Sequence, residues 1–240
     1  MADLRGLIFD MDGVLVDNVP YHAQAFQALF DDLDLTTNAT KLLHRLNGMP
    51  TTAILKSVIR HEVSKKQLEE YSTQREFLYR TLYRAHRRVM PGLVPFLNAA
   101  REAGFKIGLG TGSVNATLSY TIDYLDLRRH FDVVVGNDDV QKGKPHAETF
   151  AVVAQKLGLD PAECVVFEDA ILGEQAAYRA QMRCVGLSTT LEAKEFQAPL
   201  TVLEDYVGFT PDKLRELFAL QAQAPKPNKE LASRQYAQQE

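Results

Sequence analysis

Leu7-Ile8-Phe9-Asp10-Met11-Asp12-Gly13-Val14-Leu15-Val16-Asp17 is the stretch on which the reading of this chain turns. An apolar run stops abruptly at two carboxylates two residues apart, and a glycine follows. The run reads as a buried strand and Gly13 as the turn that ends it. Neighbouring carboxylates repel, and a buried charge is costly unless it is paired or bound to metal. Asp10 and Asp12 therefore require a cation, a shared proton, or both. Few residues precede the run, so it is read as the first strand of its domain.

Beyond Asp17 the pattern turns helical. Phe26, Leu29, Phe30 and Leu33 fall on one face of a helix over 21–33. Leu42, Leu43 and Leu46 mark a second helix, and Ile54, Leu55, Val58 and Ile59 a third. Ser64 with Gln67 three residues on forms a capping box that opens a long helix reaching about residue 88. Arg80, Arg84, Arg87 and Arg88 then lie on one face, read as solvated. Pro91-Gly92 punctuates the chain, and Leu93, Phe96, Leu97 and Ala100 begin another amphipathic helix.

Strands return at 105–110, 131–135, 164–167 and 183–187, with a short edge strand at 202–203. Helices alternate with them, the last over 211–220. That alternation predicts an α/β protein with a Rossmann-like, doubly wound parallel sheet. Roughly 90 residues separate the first two strands, whereas a crossover needs about a dozen. The excess is expected to be an inserted helical cap over 18–88. The catalytic core is then 1–17 with 89–220, and 221–240, rich in Gln, Ala, Pro, Lys and Glu, is expected to be a flexible tail.

Composition narrows the function classes. The chain has 240 residues, 45% hydrophobic and 24% charged, with a net charge of −4, which is ordinary for a globular protein. No basic face for nucleic acid is evident. No apolar run reaches the roughly 18 residues a membrane span needs. The first residues lack a charged-then-apolar leader pattern, and a cytoplasmic location is expected. Cys164 and Cys184 sit in apolar runs and read as buried free thiols.

Parallel sheets bind ligands beyond the carboxyl ends of their strands. There the first strand delivers Asp10 and Asp12, and the second delivers Thr111, Gly112 and Ser113. The loop after the third delivers Lys144, and the fourth delivers Glu168 and Asp169. Carboxylates suit a hard cation such as Mg²⁺. A lysine, hydroxyls and backbone N–H groups suit phosphoryl oxygens. One aspartate can act as nucleophile while its neighbour carries protons. Gly108-x-Gly110-x-Gly112 has the wrong spacing for a dinucleotide fingerprint, and Gly143-Lys144 lacks the rest of a P-loop.

These motifs together resemble the haloacid dehalogenase-like superfamily. The resemblance rests on Phe9–Asp17, on Thr111-Gly112-Ser113, on Gly143-Lys144-Pro145, and on Phe167-Glu168-Asp169 with Gly173, in that order. The helical insert is similar to the cap of its beta-phosphoglucomutase and phosphoglycolate phosphatase branch. The resemblance implies Asp10 as nucleophile and metal ligand. It implies Asp12 as general acid and base, binding metal through its backbone carbonyl. Thr111, Gly112 and Lys144 would hold the phosphoryl group, and Asp169 with Glu168 would complete the site for Mg²⁺. His22, in a Tyr21-His22 pair, would orient the acid/base loop.

Two departures bear on the substrate. Where a Gly-x-Ser-Arg segment grips a second phosphate in the mutases, this chain has Gly48-Met49-Pro50-Thr51. Thr51 stands in the arginine's place, which favours a phosphatase over a mutase. Glu148 stands where an aspartate is usual, and is expected to hold Lys144. The expectation is a Mg²⁺-dependent phosphatase acting on a small phosphorylated metabolite through an aspartyl-phosphate, the chain being a monomer or weak dimer. The alternatives are a sugar-phosphate mutase and a non-catalytic phospholigand-binding protein on the same fold.

Overall fold

The structure, a computed structural model, describes residues 3–221 and 223–226. Of the tail expected over 221–240, residues 222 and 227–240 lie outside the described residues. β1 (Gly6–Phe9) is buried along its length and pairs on both sides, which suits an apolar run with no polar alternation. With β2 (Lys106–Gly110), β3 (Val133–Val135), β4 (Cys164–Glu168), β5 (Arg183–Leu187) and β6 (Val202–Leu203) it forms a parallel sheet. The strand order is β3-β2-β1-β4-β5-β6. Phe9 is level with Leu109 on one side and Phe167 on the other. That register brings Asp10, Thr111 and Asp169 out at one edge.

Four helices follow β1: α1 (Val19–Asp32), α2 (Ala39–Leu46), α3 (Thr51–Val58) and α4 (Lys65–Tyr83). They bury an apolar cluster of their own that includes Leu29, Phe30, Leu43 and Leu55. α5 (Leu93–Glu102), α6 (Asn115–Ile122), α7 (Glu148–Leu157), α8 (Ile171–Arg179) and α9 (Pro211–Leu220) alternate with the later strands. Successive strand side chains point to opposite faces. Leu7 and Phe9 thus join one cluster with Phe96 of α5 and Phe218 of α9. Ile8 joins the other with Phe150 of α7 and Ala176 of α8. Phe9 stacks on Phe167 at 4.4 Å. Cys164 and Cys184 are buried free thiols.

The capping box opens α4 as expected: Gln67 N–H donates to Ser64 Oγ, and Ser64 N–H to Gln67 Oε1. The helix stops at Tyr83, short of residue 88. The chain must return to the core here, and Met90 N–H donates to Leu15 O to join its two crossings. Arg84 and Arg88 are exposed. Arg87 is not simply solvated: its guanidinium lies 3.4 Å from the Tyr124 ring centroid and donates to Tyr120 O.

Candidate active site

Asp10 follows directly on β1 and its side chain is buried. Lys144 Nζ lies 2.8 Å from Asp10 Oδ1 and 2.5 Å from Glu168 Oε1. The second Glu168 oxygen accepts the backbone N–H groups of Asp169, at 2.8 Å, and Ala170, at 2.9 Å. Both Glu168 oxygens are thus engaged. Asp169 Oδ2 accepts Asn47 Nδ2, at 3.2 Å, and Thr190 Oγ1. Asp169 Oδ1 is buried with no hydrogen-bond partner among the described residues. Oxygens of Asp10, Glu168 and Asp169 lie within 4.8 Å of one another.

This cluster is short of positive charge. Burial pushes the Asp10 carboxyl up to about 7; Lys144 pulls it down, while Glu168 and Asp12 add to the rise. Burial and the Glu168 charge hold Asp169 well above the usual carboxylate range. Burial would lower Lys144, but the two carboxylates beside it overcome that and raise it. An oxygen-only donor set with an unpartnered buried carboxylate oxygen fits a hard divalent cation. Glu148 is not the acid that holds Lys144. It begins α7 and folds back to accept Gln141 N–H and Lys142 N–H, at 2.8 and 3.0 Å, while Glu168 takes the ammonium.

The Asp12 carboxylate stands apart from that cluster. Its Oδ1 accepts Asn18 Nδ2 at 2.5 Å, and its Oδ2 accepts Ser113 Oγ at 2.7 Å. His22 Nε2 lies 3.4 Å from Oδ1. Burial raises this carboxyl, but His22, Asn18 and Ser113 outweigh it and hold the group well below the usual range. His22 is buried, stacks on Tyr79 at 3.9 Å, and sets its Nδ1 2.9 Å from Arg75 Nη1. A guanidinium can only donate, so Nδ1 accepts and Nε2 carries the proton toward Asp12. Tyr79 OH accepts the other Asn18 proton at 2.7 Å.

Two glycine positions let these groups meet. Gly13 has φ +73°, and a Cβ there would stand 2.1 Å from Asp169 Oδ2. Gly112 after β2 faces Gly48 after α2, and a Cβ on Gly112 would stand 2.8 Å from Gly48 O. Thr111 is buried, its Oγ1 accepting Ser113 N–H at 3.2 Å. Thr51 Oγ1 accepts Arg75 Nη2 at 3.0 Å. Arg75 Nη2 also pairs with Glu76 Oε1 at 3.0 Å, and Glu76 Oε2 accepts Thr117 Oγ1 of α6. A cavity of about 100 Å³ opens between Asp10 and Asp12 below and Thr51, Ser72, Arg75 and Glu76 above.

The site thus brings together the rim residues read from the sequence and adds Asn18, Asn47, Arg75, Glu76 and Tyr79. The Arg75 guanidinium lies beside Thr51. Nothing in the sequence marks it, since Arg75-Glu76 reads as one more charged pair on a polar helix. Asn18 could have been found, as a polar residue one position past the acidic motif.

A family model described as haloacid dehalogenase-like hydrolase matches residues 7–187. The chain is 35% identical over 182 residues to the fructose-1-phosphate phosphatase YqaB of Escherichia coli (strain K12), covering 75% of this chain and 94% of that protein. It is 29% identical over 185 residues to hexitol phosphatase B of the same organism, covering 74% of this chain and 81% of that one. Its fold matches the crystal structure of beta-phosphoglucomutase from Clostridium difficile with a TM-score of 0.82 at 23% identity, covering 90% of this chain and 98% of that one.

Proposed function

The chain belongs to the haloacid dehalogenase-like hydrolase family, an enzyme among relatives named as phosphatases, and we propose that it is a divalent-metal-dependent phosphatase of a small phosphorylated carbohydrate. The observation that carries the proposal is the pairing at the end of β1. Asp10 is buried against Lys144 and lines the cavity. Its neighbour Asp12 lines the same cavity, held in a separate hydrogen-bond network. The substrate names on the relatives support a sugar or sugar-alcohol phosphate. Residues 18–88 are read as the cap that closes over the core. Among the described residues no helix is long and apolar enough to cross a membrane.

Asp10, Asp169 and Glu168 would hold the cation, for which Mg²⁺ is proposed, with the Asp12 backbone carbonyl beside them. When bound it offsets the clustered carboxylate charge and polarises the phosphoryl oxygens. The Asp10 carboxylate attacks phosphorus in line. The bond from phosphorus to the alcohol oxygen breaks, and Asp12 donates a proton to that oxygen. Water then attacks the aspartyl-phosphate, its proton passes to Asp12, and the bond to Asp10 breaks to release inorganic phosphate. Lys144, Thr111 and the Gly112 backbone bind the phosphoryl oxygens. His22, Asn18 and Ser113 favour the ionised Asp12 that is left once its proton has gone to the alcohol oxygen, and that form then accepts the proton from water.

Arg75 is a specific observation for the mutase reading, because it supplies a guanidinium beside Thr51. Glu76 counters it by pairing with that guanidinium. A panel of phosphate monoesters with Mg²⁺ tests the proposal. The wild-type protein is expected to release inorganic phosphate, and Asp10→Asn to lose about 10³-fold or more of that rate. Near-wild-type turnover in Asp10→Asn would overturn it. Isomer formation from a hexose 1-phosphate and its bisphosphate, without phosphate release, would select the mutase.

A further inference from the structure

Arg75 and Glu76 are neighbours on α4, at 7% and 9% exposure. The guanidinium is held by His22 Nδ1, Thr51 Oγ1 and Glu76 Oε1, at 2.9, 3.0 and 3.0 Å. Its Nε is buried with no hydrogen-bond partner among the described residues. Both residues line the same cavity as Asp10 and Asp12. A buried charge has to be balanced where it lies. Here an adjacent carboxylate balances it, so the end of the cavity away from Lys144 has no surplus positive charge to offer an anion. A carboxylate beside a guanidinium instead presents an acceptor and a donor side by side, with the Thr51 and Ser72 hydroxyls next to them. That set complements hydroxyl groups.

We propose that Glu76, by neutralising Arg75, is a specificity-determining residue that restricts this site to monophosphates whose remaining body is uncharged and hydroxylated. A second phosphate or carboxylate placed at this end meets the Glu76 carboxylate in a dry, low-dielectric setting, and like-charge repulsion excludes it. The proposal rests on the phosphatase reading of the same cavity and narrows its substrate class. It also accounts for the presence of an arginine near Thr51 without assigning it the task of gripping a second phosphate.

Calorimetric binding in the Asp10→Asn background tests it, with Mg²⁺ present and the ligand left uncleaved. The probes are a hexitol monophosphate and the corresponding hexitol bisphosphate. With Glu76 intact the monophosphate is expected to bind the more tightly. Glu76→Gln keeps one acceptor oxygen, for Thr117, and removes the charge together with the oxygen that faces Arg75. It is expected to shift the bisphosphate-to-monophosphate affinity ratio upward by about tenfold or more, the gain of one charge-assisted hydrogen bond. Thr51→Arg gives up one hydrogen bond to Arg75 but leaves Glu76 in place and adds a cation; it is expected to raise the same ratio, which covers the case of a poorly folded Glu76→Gln. An unchanged ratio in both variants overturns the proposal. So does equal binding of the two probes with Glu76 intact, or binding of neither. Phosphate release by the wild-type protein is measured separately. Selective binding without turnover would sink the phosphatase reading and leave the selectivity assignment standing.

Discussion

Asp10 and Asp12 are chemically identical and two residues apart, yet their surroundings drive them in opposite directions. Asp10 lies among carboxylates, and burial takes its carboxyl up to about 7. Asp12 turns toward His22, Asn18 and Ser113, which hold it well below the usual range against the effect of burial. The division of labour proposed for them, nucleophile and proton carrier, follows from those neighbours. Gly13 follows Asp12, and its positive φ turns the chain close against Asp169. Gly13→Ala places a methyl where Asp169 Oδ2 lies and forces a side chain into positive φ. We expect it to cost about 1–3 kcal/mol and to weaken Mg²⁺ binding. Thermal unfolding with and without Mg²⁺ checks this, and a wild-type melting point with full metal stabilisation would refute it. Glu148 teaches the converse at this scale: its place where an aspartate is usual suggested a contact with Lys144, but this helix-start carboxylate caps the preceding loop instead.

At the scale of elements, α4 contributes most that the sequence did not announce. Its capping box is legible because the signal is local, Ser64 with Gln67. Its function is not, because the partners that Arg75, Glu76 and Tyr79 find outside their own helix are Asn18 and residues of α1, α3 and α6. The four helices between β1 and α5 bury an apolar cluster separate from those on the sheet. Leu55 on α3 is fully buried in it. Leu55→Ala is expected to cost about 2–5 kcal/mol. Because the clusters are distinct, the loss should fall on residues 19–83. Hydrogen exchange should speed there while β1 and β4 stay protected, and phosphate release should drop with it. Uniform loss of protection across the sheet would show that the two parts unfold together.

At the scale of the whole molecule, the acid cluster couples stability to pH and to metal. Asp10 has a raised carboxyl in the folded chain, so between the ordinary aspartate range and about 7 the native state binds more protons than the unfolded state. The contribution of that proton to stability is therefore complete at low pH and is lost as pH rises through about 7. The melting temperature of metal-free protein should fall over that interval, all else equal, and added Mg²⁺ should raise it more at pH 8 than at pH 5, since cation and proton compete for the same oxygens. A Mg²⁺ shift larger at pH 5 would contradict this. The sequence by itself determined the alternation of strands and helices, the insert after the first strand, and the residues at the strand ends. Those are written in local periodicity and in chain order, which a parallel sheet converts directly into position. Only the tertiary structure decided which carboxylate each cation serves, that Glu148 does not reach Lys144, and that an arginine from α4 stands beside Thr51. Those depend on how side chains far apart in sequence are packed out of water, where a charge must find its partner in space.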